Sequence, residues 1–202
     1  GGPTLWTASR TMVSGDADGT VAFNISFSDV TGNAGTAVTA TTDASSVAFD
    51  KTAPVISPAT IASNNISNNQ QAVSGNIITL SFTSSESLLA TPSVTINGGG
   101  SGTVTVTNVG GNNWTATKTV TECSNEVVTF SINVSDLAGN TTTRTTTTDA
   151  SSITILPNTF TGTGNWSNNA NWSCGAAPGN NFTGTVAIAD GANVTLDVNI
   201  AI

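Results

Sequence analysis

At 202 residues the chain has room for one to two folding units of ordinary size, and only 8% of it is Asp, Glu, Lys or Arg, against roughly a quarter in a typical soluble domain. Four basic residues against twelve acidic ones give a net charge of -8, which leaves no cationic surface for nucleic acid or an anionic bilayer. Histidine is absent, which removes the commonest general base and metal ligand and, with no active-site constellation in view, argues against an enzyme.

The first stretch, residues 1–50, has no basic n-region or apolar h-region at Gly1-Gly2-Pro3-Thr4-Leu5-Trp6, and no apolar run in the chain is long enough to span a bilayer as a helix. Export and anchoring signals are therefore expected outside this sequence. Val21, Phe23, Ile25 and Phe27 alternate with small polar residues, which predicts one face of a half-buried antiparallel strand. The phrase Phe23-Asn24-Ile25-Ser26-Phe27-Ser28-Asp29 returns as Phe130-Ser131-Ile132-Asn133-Val134-Ser135-Asp136, 107 positions later. Trp6-Thr7-Ala8 aligns in the same way with Trp114-Thr115-Ala116, and Thr42-Asp43-Ala44-Ser45-Ser46 with Thr148-Asp149-Ala150-Ser151-Ser152. Residues 1–50 thus read as the C-terminal half of a repeat, and residues 51–156 as a whole one.

Within that whole repeat, alternation and turn residues predict seven short strands: Val55 to Ile61, Ile77 to Phe82, Ser93 to Ile96, Val104 to Thr107, Trp114 to Val120, Val127 to Val134 and Thr146 to Ile155. No segment shows sustained helical periodicity. Seven strands in roughly 100 residues is the pattern of an immunoglobulin-like sandwich. The joint Asp50-Lys51-Thr52-Ala53-Pro54, the strand Leu80-Ser81-Phe82-Thr83-Ser84-Ser85-Glu86 and the Ser-Asp-x-x-Gly-Asn turns at Ser28 and Ser135 resemble the bacterial immunoglobulin-like repeats of large adhesin-type surface proteins. The resemblance covers about residues 1–156. It implies all-β, tandem sandwiches, one truncated and one complete, on a secreted, extracellular, cell-surface protein that serves as adhesin, stalk or spacer.

From Pro157 the register breaks. Phe160-Thr161-Gly162-Thr163-Gly164-Asn165-Trp166 and Asn171-Trp172-Ser173 have no earlier counterpart, and residues 157–202 resemble the opening of a surface β-solenoid, with strands at Thr185 to Ile188 and Val194 to Ile202.

Four sets of residues are candidates for a role. Cys123 precedes the Val127 strand, which should run antiparallel to the strand leaving the repeat, so its turn belongs at the exit pole near Cys174. A disulfide there would limit how far the two modules swing; two free thiols are the alternative. Asp16, Asp18 and Asp50 could hold calcium at a joint, although three carboxylates fall short of six ligands and an Asp-Gly turn with an ion pair to Lys51 is the simpler reading. Trp166 and Trp172 could stack on a surface glycan or cap a solenoid, while Trp6 and Trp114 read as packing residues. Lys118 reads as a solvated strand position rather than a partner in an isopeptide bond.

The expected function is a structural or adhesive segment in which stacked sandwiches form a stiff spacer, with neighbouring repeats as partners and no cofactor. Two rivals remain open. Identical subunits could join into an extracellular fibre by donating strands such as Val194 to Ile202, or the chain could be the non-catalytic spacer of a secreted carbohydrate-active protein.

Overall fold

A computed structural model describes residues 5–179 and 186–198. Among them there is no α-helix, and the chain is all-β. It forms two compact units, Gly1–Ala53 and Pro54–Ile202.

In the first unit, regular pairing is confined to β1 (Gly19–Thr20) against β2 (Ala48–Phe49), with isolated bridges between Ile25 and Val38 and between Ser28 and Ala34. The stretch from Val21 to Phe27 is therefore an open hairpin arm rather than the continuous strand that its alternation predicts. Strand regularity comes largely from packing on a second layer, and a two-stranded ribbon on its own is marginal. Phe23 is 40% exposed, and Ile25 and Phe27 are each 54% exposed.

The second unit begins with β3 (Ile56–Ser63), β4 (Gln71–Ala72), β5 (Ile77–Ser84), β6 (Ser93–Asn97), β7 (Val104–Gly110) and β8 (Asn113–Thr119). β9 (Glu126–Val127), β10 (Thr129–Ser135), β11 (Thr141–Arg144) and β12 (Thr154–Ile155) complete its larger part. One sheet has the antiparallel order β3-β5-β8-β7, a second the antiparallel order β11-β10-β6, and a third, small one joins β4, β12 and β9. Alternation sets which faces are buried. Ile78, Leu80 and Phe82 of β5 and Phe130, Ile132 and Val134 of β10 enter one shared core with Ile56, Ala59, Ile61, Ala116, Ile153 and Ile155.

Two predicted strands are built differently. The Val127 strand divides at Val128: β9 pairs with β12, whereas β10 pairs with β6 and β11. The strand expected over Thr146 to Ile155 is mostly a connection, and the paired segment lies earlier, at Thr141–Arg144, where Thr-Thr-Thr-Arg offers no apolar alternation to betray it. The connection turns at Ala150, whose φ is +58°, and covers the open edge of β3 with side chains instead of a strand. Thr148 Oγ1 accepts from the Ala59 amide at 3.1 Å, Ser151 Oγ accepts from the Ile61 amide at 2.9 Å, and the Thr148 amide donates back to the Ala59 carbonyl at 2.7 Å. Those contacts satisfy edge groups that would otherwise template pairing with another chain.

Two residues after β12 the chain enters β13 (Asn158–Phe160) and β14 (Thr163–Asn165), then a 3-10 turn at Asn169–Asn171, β15 (Val186–Ile188) and β16 (Asn193–Thr195). β13 pairs with β15 and β14 with β16, both in parallel and in continuous register. One short bent segment is thus laid on the next. Thr185 and residues 199–202 of the strands expected here lie outside the described residues.

Candidate functional site

The features that bear on function gather where the second unit's larger part meets β13–β16. β12 runs antiparallel to β9 with Ile155 opposite Glu126, so residues just after 155 travel beside residues just before 126. Cys123 is therefore carried to the point where the chain leaves the larger part. It lies at disulfide distance from Cys174, with Cα atoms 6.5 Å apart across a sequence separation of 51. Cys174 is held on its own side by its amide, which donates to Asn158 Oδ1 at 3.2 Å.

The loop between β6 and β7 folds over this pole. Gly98, Gly99 and Gly100 have φ of +105°, +67° and +85°, and a Cβ on Gly99 would come within 3.0 Å of Val120 Cγ1. Only glycine meets both demands at little cost. The Gly99 amide donates to Glu126 Oε1 at 3.0 Å, and the Gly99 carbonyl accepts from the Thr121 amide at 2.8 Å.

Lys118 completes the brace and corrects the solvated role expected of it. Its side chain is 5% exposed, and Nζ donates to the carbonyls of Gly98 at 2.7 Å and Ile96 at 3.1 Å. Parity along the strand was the available signal, because Lys118 shares a face with Trp114, Ala116 and Val120. Glu126 also accepts from the Ser124 hydroxyl. That bond, the Gly99 amide and the nearby Lys118 charge hold its pKa below the ordinary range. Replacing Lys118 with methionine keeps the volume but strands two carbonyls, so a loss of about 2–3 kcal/mol in urea unfolding is expected; an unchanged midpoint would show the ammonium to be solvated.

The tryptophans divide by position. Trp166 and Trp172 are 5% and 4% exposed, and they form a second core with Phe160. Their rings meet edge to face with centroids 4.6 Å apart, and Phe160 meets Trp172 likewise at 5.2 Å. Both indole N–H groups are spent internally: Trp172 donates to the Trp166 carbonyl at 2.8 Å and Trp166 to the Pro178 carbonyl at 3.1 Å. This geometry leaves no open indole face for a sugar, which corrects the glycan role considered for them. Trp114 packs against the main core, whereas its repeat counterpart Trp6 is 78% exposed and does not take the packing role expected of it.

In the first unit, Asp16 forms an ion pair with Arg10 at 2.5 Å and accepts from the Val13 amide at 2.9 Å. Asp18 accepts from the Lys51 amide at 3.0 Å and from the Thr52 hydroxyl, while Lys51 Nζ donates to the carbonyls of Ser14 and Asp16. Asp50 accepts from the Thr52 amide at 2.9 Å. Among the described residues, Asp16, Asp18 and Asp50 do not gather as one group of ligand atoms within 4.8 Å of one another, and separate turns hold them.

The repeated turns share three bonds, and Asp29 has one more, from the Thr31 hydroxyl, where the second turn has Ala138. Asp29 Oδ1 accepts from the amides of Thr31 and Asn33, and Oδ2 from Asn33 Nδ2; Asp136 does the same with Ala138 and Asn140. Thr41 Oγ1 donates to the Ser45 carbonyl as Thr147 Oγ1 does to that of Ser151, and Ala44 and Ala150 have φ of +57° and +58°. Comparison with family models, curated proteins and solved structures finds no match for this chain.

The carboxylates impose a pH dependence. Asp29 is held far below the ordinary range by the side chains of Asn33 and Thr31, and Asp149 below it by Ser151. For Asp136, burial pushes the pKa up but the Asn140 and Ala138 bonds outweigh it, so its pKa is also lowered. Groups with depressed folded pKa values contribute stability above their unfolded pKa near 4 and lose it as pH falls through the folded values. Unfolding midpoints in urea are thus expected to hold from pH 7 to about pH 4 and to drop by pH 2. A rise in that interval would mean that relief of the -8 charge dominates.

Proposed function

We propose that this chain is a non-enzymatic structural segment of an extracellular bacterial surface protein of the adhesin type, in which immunoglobulin-like sandwiches stacked in tandem carry a different, solenoid-like module outward. The observation that carries the reading is the junction at Cys123 and Cys174, a crosslink that ties the larger part of the second unit to the segment from β13 onward. A covalent brace at a module boundary stiffens a stalk and serves no evident purpose in binding a small substrate.

Other features support it. The orders β3-β5-β8-β7 and β6-β10-β11 support this reading, because a seven-stranded immunoglobulin-like sandwich divides its strands four and three in the same way. The Asp29 and Asp136 turns repeat the same bonds in chain segments 107 residues apart, as a tandem array requires. The parallel pairing of β13 with β15 and β14 with β16 fits a coil that continues by stacking. Antibody labelling of intact source cells tests the reading. Surface signal without permeabilisation is the expected result, and signal only after permeabilisation overturns it.

A further inference from the structure

The two main sheets of the second unit have four edges, and three of them are covered or blunted. β3 is closed by the Thr148 and Ser151 hydroxyls. β11 has four residues and ends on Arg144, and β6 has five and starts beside Pro92. Covering groups, short strands, a charge or a proline are the ordinary means of keeping an edge from pairing with another chain. β7 has none of them from Val104 to Asn108, where its register with β8 is regular. It pairs with β8 alone, and among the described residues no hydrogen bond takes Val104 to Thr107 anywhere else. β6 and β8, its neighbours in the chain, are both in place, so the open edge belongs to the repeat itself.

The sequence on this edge reads the same in both directions: Thr103-Val104-Thr105-Val106-Thr107 is a palindrome about Thr105. Val104 and Val106 lie on the face that packs on the main core, both half-buried, and Thr105 and Thr107 lie on the exposed face. Two such strands paired antiparallel about Thr105 set Thr105 opposite Thr105, Val104 opposite Val106 and Thr103 opposite Thr107, with like faces aligned. The edge is also free of charge. In a chain of net charge -8, no residue from Ser87 to Thr117 is charged, and Lys118 is buried against the carbonyls of Ile96 and Gly98.

We infer that β7 is a self-association edge, to which a second copy of this chain adds its own β7 antiparallel about a two-fold axis at Thr105, so that two four-stranded sheets become one continuous sheet. A two-fold contact requires a patch complementary to itself, and the palindrome meets that requirement at all five positions. Main-chain bonds supply the affinity, as in strand addition generally. Thr–Thr pairs on one face and Val–Val pairs on the other add to it, and the valines lose the water contact that they still have. A strand of different sequence would take the same amides without the matched pairs. The contact is small, so the pairing is weak and shows only in a concentrated chain.

The inference stands on the edge and its sequence and not on the surface-stalk reading, so either can fail alone. Sedimentation equilibrium of the full chain is the test, and a reversible monomer–dimer equilibrium is expected at concentrations up to about 1 mM. The variants T105K and T105E each change one exposed residue and should keep the parent's urea midpoint. Each sets like charges face to face across the two-fold axis, and should weaken the dimer about tenfold or more. An equal mixture of the two variants sets opposite charges across the axis and should recover the dimer. A chain that stays monomeric at about 1 mM, a T105K or T105E chain that dimerises as the parent does, or a mixture that associates no better than its components overturns the proposal. The second of these outcomes would place self-association on another surface.

Discussion

Replacing Trp172 with alanine is expected to unfold the segment from β13 onward while the larger part of the second unit stays folded, at a cost of about 3–5 kcal/mol. The reason lies in the poverty of the second core. Its fully buried members are Phe160, Trp166 and Trp172, flanked by half-buried alanines and valines, so one indole is a large share of what holds it. Trp172 also touches both other rings and donates to the Trp166 carbonyl, and the mutation strands that buried acceptor as well as opening a cavity. The main core has sixteen buried members and does not include Trp172. Limited proteolysis should therefore cut the variant between residues 157 and 198 and spare residues 54–156. Trp172→Phe should recover most of the packing but not the N–H bond, and so fall between. If the alanine variant resists protease as the parent does, the three rings are not what holds this segment.

How far the sequence disclosed this arrangement depends on what each residue was answering to. β5 and β10 were legible because their alternate residues all bury on one shared core, so period and environment agree. β11 was not, because a threonine strand is defined by its neighbour's hydrogen bonds rather than by its own pattern. Residues 146–153 misled for the opposite reason: Thr and Ser have the strand propensity, but their hydroxyls are used to close the edge of β3. Cys123 and Cys174 could be placed from strand direction alone, since antiparallel pairing with the departing strand fixes which end of β9 is the exit. Lys118 was misplaced by its charge, although its parity with Ala116 pointed inward. The carboxylates of Asp16, Asp18 and Asp50 looked like a cluster only in sequence. In three dimensions Asp16 answers first to Arg10 and the Val13 amide and Asp18 to the Lys51 amide and the Thr52 hydroxyl, and short-range bonds of that kind are invisible to composition.

Opening the Cys123–Cys174 bond should have an effect of similar size but a different signature. Closing a loop with a separation of 51 residues restricts the unfolded chain by about 4 kcal/mol at 25 °C on the loop-entropy account. The loss will not be shared evenly. The larger part of the second unit keeps its two main sheets and their core without the crosslink, whereas the segment from β13 onward has three buried aromatics and two short parallel pairings of three residues each. Calorimetry of the oxidised chain is therefore expected to show the larger part of the second unit and the β13–β16 segment melting together, and a reductant or the C123S/C174S variant should split off an earlier transition belonging to the latter. The Trp172 and cysteine effects should also be less than additive, because both act on the same small core. A reduced chain that melts unchanged would mean that packing alone fixes the junction, and would remove the observation on which the stalk reading rests. If the split transition is seen, the brace depends on an oxidising surrounding, and the junction is rigid only where thiols stay paired.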